Sequence, residues 1–246
     1  MKKILTSLVV GAILATVANA DLSRIEMGAG SWLNTPSGGG VTSSDSDRLL
    51  RLDGEYQSDE SASGEFYFWM LIKQPVPVVP NIRLEYTTIE DQGKTTGTHD
   101  GDSYDNEDTD IRIRQYDLVG YYNLLDNTAW TTLDLGLDLK VISSRANIDS
   151  KDYTYKDSMV IPLLYARTRV DVPATNIGFE ADVKYITDGD STMYDIRAKV
   201  DYSFDFAMTR PALELGYRMQ KFDIDDRGTK MDLDYGGIYA GMMLRF

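Results

Sequence analysis

The chain of 246 residues contains no cysteine, a single histidine and, after its first twenty residues, no long hydrophobic run. Without cysteine, the protein can form no disulfide, zinc–thiolate site or cysteine nucleophile. The lack of a long apolar run excludes a transmembrane helix there, since a helical span needs ~20 apolar residues. Basic residues are also scarce, with 25 Lys and Arg against 39 Asp and Glu, which gives a net charge of −14. An acidic balance of this kind disfavours nucleic-acid binding, because phosphates attract cations.

Residues 1–20 have the pattern of a secretory signal peptide. Two lysines precede an apolar run, and Ala18 and Ala20 form a small-x-small cleavage site before Asp21. The apolar run is too short for a membrane helix. We predict cleavage between Ala20 and Asp21, which leaves residues 21–246 as one domain without internal repeats. Because both lysines leave with the leader, the net charge of −14 becomes −16.

Period-two alternation dominates the rest of the chain. Apolar or aromatic residues occupy one face and polar residues the other in three successive segments, 177–185, 194–204 and 213–220. One face suits lipid and the other suits water. Membrane barrels are built from such strands, whose alternation makes window averages of hydropathy cancel.

Extending this pattern predicts an all-β fold, a closed antiparallel up-and-down transmembrane β-barrel of about ten strands, with eight or twelve as alternatives. The candidate strands lie at 22–33, 65–73, 81–90, 111–124, 129–143, 159–171, 175–187, 191–205, 212–223 and 231–246. Short connectors alternate with longer polar ones, which places the short ones and both termini in the periplasm and the long ones outside. Residues 66–72 are apolar on both faces, so their register is ambiguous. Residues 47–56 could form a helix or an extra strand, but strand parity favours a loop.

The last strand ends on an aromatic residue, Phe246, and contains the pair Gly236-Gly237. This tail resembles the closing strand of bacterial outer-membrane β-barrels, which implies that Phe246 is part of the signal read by the barrel-insertion machinery. The whole chain resembles a small, uncharacterised Gram-negative outer-membrane barrel family marked by such a Gly-Gly pair. The resemblance implies an outer-membrane location and no particular activity. The pair itself suits a β-bulge or a position of close packing.

The predicted inner faces carry equal numbers of opposite charges. The basic residues are Arg24, Arg83, Lys140, Arg167, Arg169, Lys184, Arg197, Lys199, Arg218 and Arg245, and the acidic residues are Glu26, Glu85, Asp117, Asp134, Asp138, Glu180, Asp182, Asp195, Asp201 and Glu214. A barrel of about ten strands is only slightly wider than one that its own side chains fill. Unpaired buried ions are strongly unfavourable, so we predict a salt-bridged plug. The alternative is a narrow or gated pore lined by the same residues. Inner glycines, at positions 28, 30, 136, 178 and 241, either leave room for water or relieve crowding.

The second long connector is strongly acidic. Its acidic residues are Asp91, Asp100, Asp102, Asp105, Glu107, Asp108 and Asp110. We interpret it as a solvated loop that could bridge divalent ions to lipopolysaccharide phosphates. A weaker hypothesis is a calcium site formed by Asp100, Asp102, Asp105 and Glu107, although Asp105 stands where a calcium loop has its turn glycine.

Aromatic residues form a second prominent set. We predict that they lie near strand ends or on lipid faces, as membrane-interface girdles do, with a carbohydrate platform as the alternative. They are Tyr67, Trp69, Tyr86, Tyr116, Tyr121, Tyr122, Trp130, Tyr165, Tyr185, Tyr202 and Phe246.

The lone histidine, His99, limits the enzymatic possibilities. A ten-stranded barrel resembles the omptin proteases, which place carboxylates and an Asp-His pair on different outer loops, but no second loop here supplies a histidine. A G-x-S-x-G nucleophile signature is also missing. We therefore expect no enzyme, no cofactor and no nucleic-acid partner. The favoured function is a structural or envelope-maintenance barrel in contact with outer-membrane lipid and lipopolysaccharide. Alternatives are a small-solute channel and, more distantly, a rim enzyme or adhesin.

Overall fold

The computed structural model describes residues 24–43, 53–59, 62–76, 78–99, 102–148, 153–189, 191–206, 209–226 and 229–246. These residues form eleven strands: β1 Arg24–Ser43, β2 Asp53–Ser58, β3 Ser63–Lys73, β4 Asn81–His99, β5 Asp102–Thr128, β6 Thr131–Ile148, β7 Tyr153–Asp171, β8 Ile177–Thr187, β9 Thr192–Ser203, β10 Arg210–Asp226 and β11 Thr229–Arg245. Within the described ranges, no helix is long and apolar enough to cross a membrane.

The strands form a single sheet that closes on itself. Apart from β2 and β3, neighbours along the chain pair antiparallel, and β11 returns to pair with β1. The short β2 and the longer β3 both lie between β1 and β4, one after the other, so the circumference contains ten strands. The prediction of a closed antiparallel barrel of about ten strands is confirmed, and the alternatives of eight and twelve are wrong. Because β11 pairs with β1, the sheet has no terminal edge strand, which a sheet in lipid requires.

The predicted loop at 47–56 is partly wrong. Residues 53–56 belong to β2, whereas residues 47–52 lie outside the described residues. Because β2 shares its place in the circumference with β3, this strand leaves the even count unchanged.

The outward face forms an apolar belt. On β6, for example, Leu135, Leu137 and Leu139 are 45%, 60% and 47% exposed, while the intervening inner positions are small or polar. At one end the belt stops at a cross-strand row in which Thr88, Arg114, Ser143 and Ser158 lie opposite one another. We call this the hairpin end of the barrel. The other end, where short turns join the strands, is the short-turn end.

At the hairpin end, β4 and β5 continue well beyond the belt. His99 is eleven positions after Thr88, which corresponds to roughly 37 Å of strand at ~3.4 Å per residue. Most of the predicted acidic loop is therefore a strand pair, contrary to expectation. Inward-facing apolar side chains fill this extension and support its pairing outside lipid. They include Tyr56, Ile89, Tyr104, Ile111, Ile113, Ile142, Ala146, Ile148, Phe222, Leu233 and Tyr235.

Four aromatic residues predicted for the membrane girdles lie inside the barrel instead: Tyr67, Trp69, Tyr121 and Tyr165 are each 5% exposed or less. Glycines at the directly opposite positions of the neighbouring strand β1 explain the positions of two of them. A Cβ at Gly30 would lie 2.6 Å from Tyr67 Oη, and one at Gly28 would lie 2.6 Å from Trp69 Nε1. These two glycines therefore give space to aromatic rings, and the ambiguous register of residues 66–72 is fixed with Phe66 and Phe68 outward.

The Gly-Gly pair lies in regular β-structure. Gly237 and Gly236 stand opposite Asn34 and Thr35 in continuous register, and the irregularity of β1 falls later, between Pro36 and Gly39. A β-bulge at the pair is therefore wrong. Close packing fits Gly237, since a Cβ there would collide with the backbone carbonyl oxygen of Leu33.

Candidate functional site: the barrel lumen

The charged residues assigned to the inner faces occupy the middle and the short-turn half of the lumen. All are buried except Arg24, whose side chain is 41% exposed. Each comes from a strand whose outward neighbours are apolar, because alternation sends successive side chains to opposite faces. The lumen is therefore a packed polar layer inside an apolar cylinder.

Glu85 lies at the centre of this layer. Its carboxylate accepts hydrogen bonds from Arg83 Nε at 2.5 Å, Lys184 Nζ at 2.7 Å and Arg197 Nη2 at 2.6 Å. Arg197 also donates to Asp182 at 2.6 Å. The strands β4 and β9, which carry Glu85 and Arg197, are five positions apart in either direction around the barrel. This contact therefore spans the full diameter of the lumen.

Towards the hairpin end, a second layer also spans the lumen. Lys140 pairs with Asp117 at 2.5 Å, and Arg218 pairs with Asp195 at 2.7 Å. Next to them, Gln115 Nε2 donates to Gln220 Oε1 at 2.9 Å. Since β5 and β10 are also diametrically opposite, the two amides close the lumen beside the charged pairs.

Towards the short-turn end, the pairs run along one wall. Arg167 lies between Asp134 at 2.6 Å and Glu180 at 2.8 Å, and Lys199 contacts Glu214 at 2.8 Å. At the end of the lumen, Asp201 receives both Arg169 at 2.7 Å and Arg245 at 2.8 Å. Buried pairs of this density satisfy each other's charge, which offsets the cost of removing them from water.

Two inner aromatic residues, which the sequence pattern wrongly assigned to the membrane girdles, complete the network. Tyr67 Oη and Trp69 Nε1 donate to Glu214 at 2.8 Å and 3.2 Å. The Trp69 ring also lies 4.4 Å from Lys199 Nζ, a cation–π distance. Gly28 and Gly30 were the available signal, because an inward-facing glycine leaves space for an aromatic ring from the neighbouring strand.

Free space in the lumen is unevenly distributed. Among the inner residues around Trp69 and Arg197, a cavity of about 10 Å³ remains, near the lower limit for one water molecule. At the short-turn end, a vestibule of about 680 Å³ opens between the turns and is lined by Arg24, Arg169, Arg245, Trp130 and Phe246, among others. The vestibule leads only as far as the buried ion pairs.

Like Glu65, whose carboxylate accepts hydrogen bonds from Ser63, Thr88 and the Glu90 N–H, Asp91 differs from this pattern of ion pairs. It lies beyond the belt, 3% exposed, in the apolar core of the extension, where Ser58 Oγ donates to it at 2.7 Å. Burial raises the pKa of this carboxyl above its ordinary value. No cation pairs with it within the described part of the chain.

The weaker site hypotheses fall mostly outside the described residues or side chains. Asp100 and the cleavage-site residues Ala20 and Asp21 lie outside them, and the side chains of His99 and Asp102 are not described. Asp105 and Glu107 are located in β5. Across the described ranges, no group of three or more His, Cys, Asp or Glu side chains is placed to hold a metal ion.

Comparisons with known proteins identify the fold alone. No protein-family model and no curated protein sequence matches this chain. Among solved structures, it is similar to the outer membrane protease OmpT from Escherichia coli, with a TM-score of 0.55 and 12% identity over 93% of this chain and 98% of that chain. Neisserial surface protein A also matches, with a TM-score of 0.39 and 12% identity over 90% of this chain and 97% of that chain. The fold is therefore that of outer-membrane β-barrel proteins.

Proposed function

We propose that this chain is an integral outer-membrane protein of structural or envelope-maintenance type, exported by residues 1–20 and closed to solutes. The observation that supports this proposal is the diametric contact between Arg197 and Glu85. A wall-to-wall ion pair in the centre of a ten-stranded barrel leaves no aqueous path, and open channels are found in wider barrels of ~16–18 strands.

A second closure lies in series with the first. On the hairpin side of the charged layer, the amide pair of Gln115 and Gln220 contacts the apolar core of the extension. In that core, Phe222 and Tyr235 pack with their ring centroids 6.1 Å apart. A hydrated ion would have to lose its water to pass such a core, which is strongly unfavourable. The two closures together favour a rigid, closed cylinder over a pore.

The chemistry of the described residues supports a non-enzymatic role without a cofactor. The inner carboxylates are paired with cations, so they are not available as general acids or bases at a substrate site. Asp91 and Glu65, two acids of the described residues that lie outside this pairing, are buried and do not face solvent.

The family and the partners of the chain belong to the same proposal. The Gly236-Gly237 pair supports membership of the uncharacterised barrel family that the sequence resembles. We assign recognition by the barrel-insertion machinery to Phe246, whose backbone N–H donates to the Ile25 carbonyl at 2.9 Å and so lies at the closing seam. Lipid and lipopolysaccharide are the proposed surroundings of the apolar belt.

A gated pore is the second candidate, and the vestibule favours it. An opening of about 680 Å³ at the short-turn end would admit a small solute as far as Arg169 and Arg245. Transport would then require the central ion pairs to separate.

Planar-bilayer recording of the refolded full-length mature chain distinguishes the two candidates. We expect no regular unitary current steps, whereas an open barrel of similar construction, used as the control, should give them. Reproducible unitary steps from the wild-type protein would contradict the closed barrel and support the pore.

A further inference from the structure

An unusual row of basic residues lies on the outward surface just beyond the apolar belt. By backbone register, Arg112 on β5 stands opposite Arg145 on β6, with the acidic Glu90 of β4 on the other side of Arg112. Arg114 is two residues nearer the belt on β5. The row is notable because the chain as a whole carries an excess of acid.

Only one cation of the row has a counter-charge among the side chains that the structure describes. Arg112 Nη2 contacts Glu90 Oε1 at 2.5 Å. Arg114 and Arg145 are exposed, and no carboxylate within the described ranges pairs with either. Like charges directly opposite on neighbouring strands repel each other, so Arg112 beside Arg145 is unfavourable unless an anion lies between them.

The depth of the row matches the headgroup layer of a membrane. Tyr86 and Tyr116, in contact with ring centroids 5.0 Å apart, form part of the aromatic boundary at this end of the belt. Arg114 and Arg112 precede Tyr116 by two and four residues, which places them roughly 7 and 14 Å from it along the strand, towards the hairpin end. Below them, the exposed Leu118, Leu139 and Val160 offer an apolar surface for acyl chains.

We propose that Arg112, Arg114 and Arg145 bind the phosphate groups of an anionic lipid of the lipopolysaccharide type, with its acyl chains on the belt below. Guanidinium groups suit this ligand because their paired N–H donors match phosphate oxygens. The continuous apolar surface selects a phosphorylated lipid over free phosphate. This inference depends on the proposed function for the orientation of the hairpin end towards the outer leaflet.

The test measures lipid binding by the full-length mature chain, refolded in neutral detergent. Titration with purified lipopolysaccharide is compared for the wild type, the double variant Arg114→Gln/Arg145→Gln and the control Arg210→Gln. Arg210 is exposed at the short-turn end and contacts Asp205 at 3.0 Å, so it provides a matched loss of cation at the other end. Dephosphorylated lipopolysaccharide and inorganic phosphate are the comparison probes.

We expect the double variant to bind lipopolysaccharide roughly 30-fold more weakly, since each cation at an anionic surface contributes about fivefold in affinity. Arg210→Gln should bind as the wild type does, and the dephosphorylated lipid should bind all three proteins weakly. Equal binding by the double variant, or equal binding of the dephosphorylated lipid, would overturn the proposal. Competition by inorganic phosphate at concentrations similar to those of the lipid would identify free phosphate and overturn the lipid assignment.

Two further measurements keep this result interpretable. The single variants Arg114→Gln and Arg145→Gln should each bind lipopolysaccharide about fivefold more weakly than the wild type. These single variants serve as the test if the double variant does not refold. The second measurement is the planar-bilayer recording, which does not depend on these outward side chains. If lipid binding fails, the closed-barrel proposal still stands. If unitary current steps are recorded, the lipid-binding result still stands.

Discussion

At Glu85, three cations from three different strands converge on one buried carboxylate. Its two oxygens accept hydrogen bonds from Arg83, Lys184 and Arg197, each of which is buried. Removing one member of such a group costs more than the pair contributes, because the remaining ions stay in a medium that solvates them poorly. Glu85 is therefore the position at which a single substitution should affect the lumen most strongly.

We predict that Glu85→Gln destabilises the folded barrel by about 3–5 kcal/mol, because an isosteric amide removes one negative charge that three buried cations share. Urea unfolding of the protein in detergent, followed by the gel shift between folded and unfolded forms, measures the change. Asp205→Asn is the matched control, since it removes a carboxylate from an exposed pair with Arg210. If both variants unfolded at the same urea concentration as the wild type, the central role of Glu85 would be wrong.

At the level of elements, closure depends on how closely β11 approaches β1. Gly237 faces inward, and the Leu33 carbonyl of β1 occupies the space that a side chain there would need. Gly236 faces outward, where a Cβ would lie 3.1 Å from the Tyr217 hydroxyl at the end of a movable side chain. The two neighbouring glycines therefore have different physical roles.

We expect Gly237→Ala to reduce the yield of closed barrel and to cost at least about 1–3 kcal/mol, as overpacking does. Gly236→Ala should refold as the wild type does, because the Tyr217 ring can move. The fraction that migrates as the compact form on unheated gels measures closure. A normal yield for Gly237→Ala would show that the seam tolerates a side chain and that the close approach is not required.

Alternation of polar and apolar residues was sufficient to predict the barrel and most strand positions. It could not place Tyr67 and Trp69, because residues 66–72 are apolar on both faces and either register buries an apolar set. The decisive contacts come from glycines and from Glu214, which are distant in sequence. The alternation of polar and apolar residues within one segment carries no information about such contacts between distant segments.

The acidic hairpin shows a second limit of sequence reasoning. Acidic and polar residues at 91–110 suggested a solvated loop, but their outward positions pair across strands, as Lys94 does with Asp108 and Gln92 with Asp110. Inside, Ile111 and Ile113 join an apolar core from several strands. Strand structure here depends on that shared core, which a single segment does not reveal.

For the whole molecule, the two ends of the barrel differ in a way that predicts which end faces the outside of the cell. The hairpin end carries the long, cored extension, and the short-turn end carries the vestibule and the seam at Phe246. In outer-membrane barrels the long connections face outward and the short turns face the periplasm. Because the chain has no cysteine, any introduced thiol is unique, and its accessibility directly reports its side of the membrane.

We predict that Asp188→Cys, in the turn between β8 and β9 at the hairpin end, is labelled by a membrane-impermeant maleimide on intact cells. Thr175→Cys, in the exposed turn at the short-turn end, should be labelled only after the outer membrane is permeabilised. Both residues are exposed in the folded chain, so intrinsic reactivity does not separate them. The reverse labelling pattern would invert the barrel and would place the basic row in the periplasmic leaflet, which lacks lipopolysaccharide. Equal labelling of both before permeabilisation would mean that the chain does not form a barrier-spanning barrel in the cell.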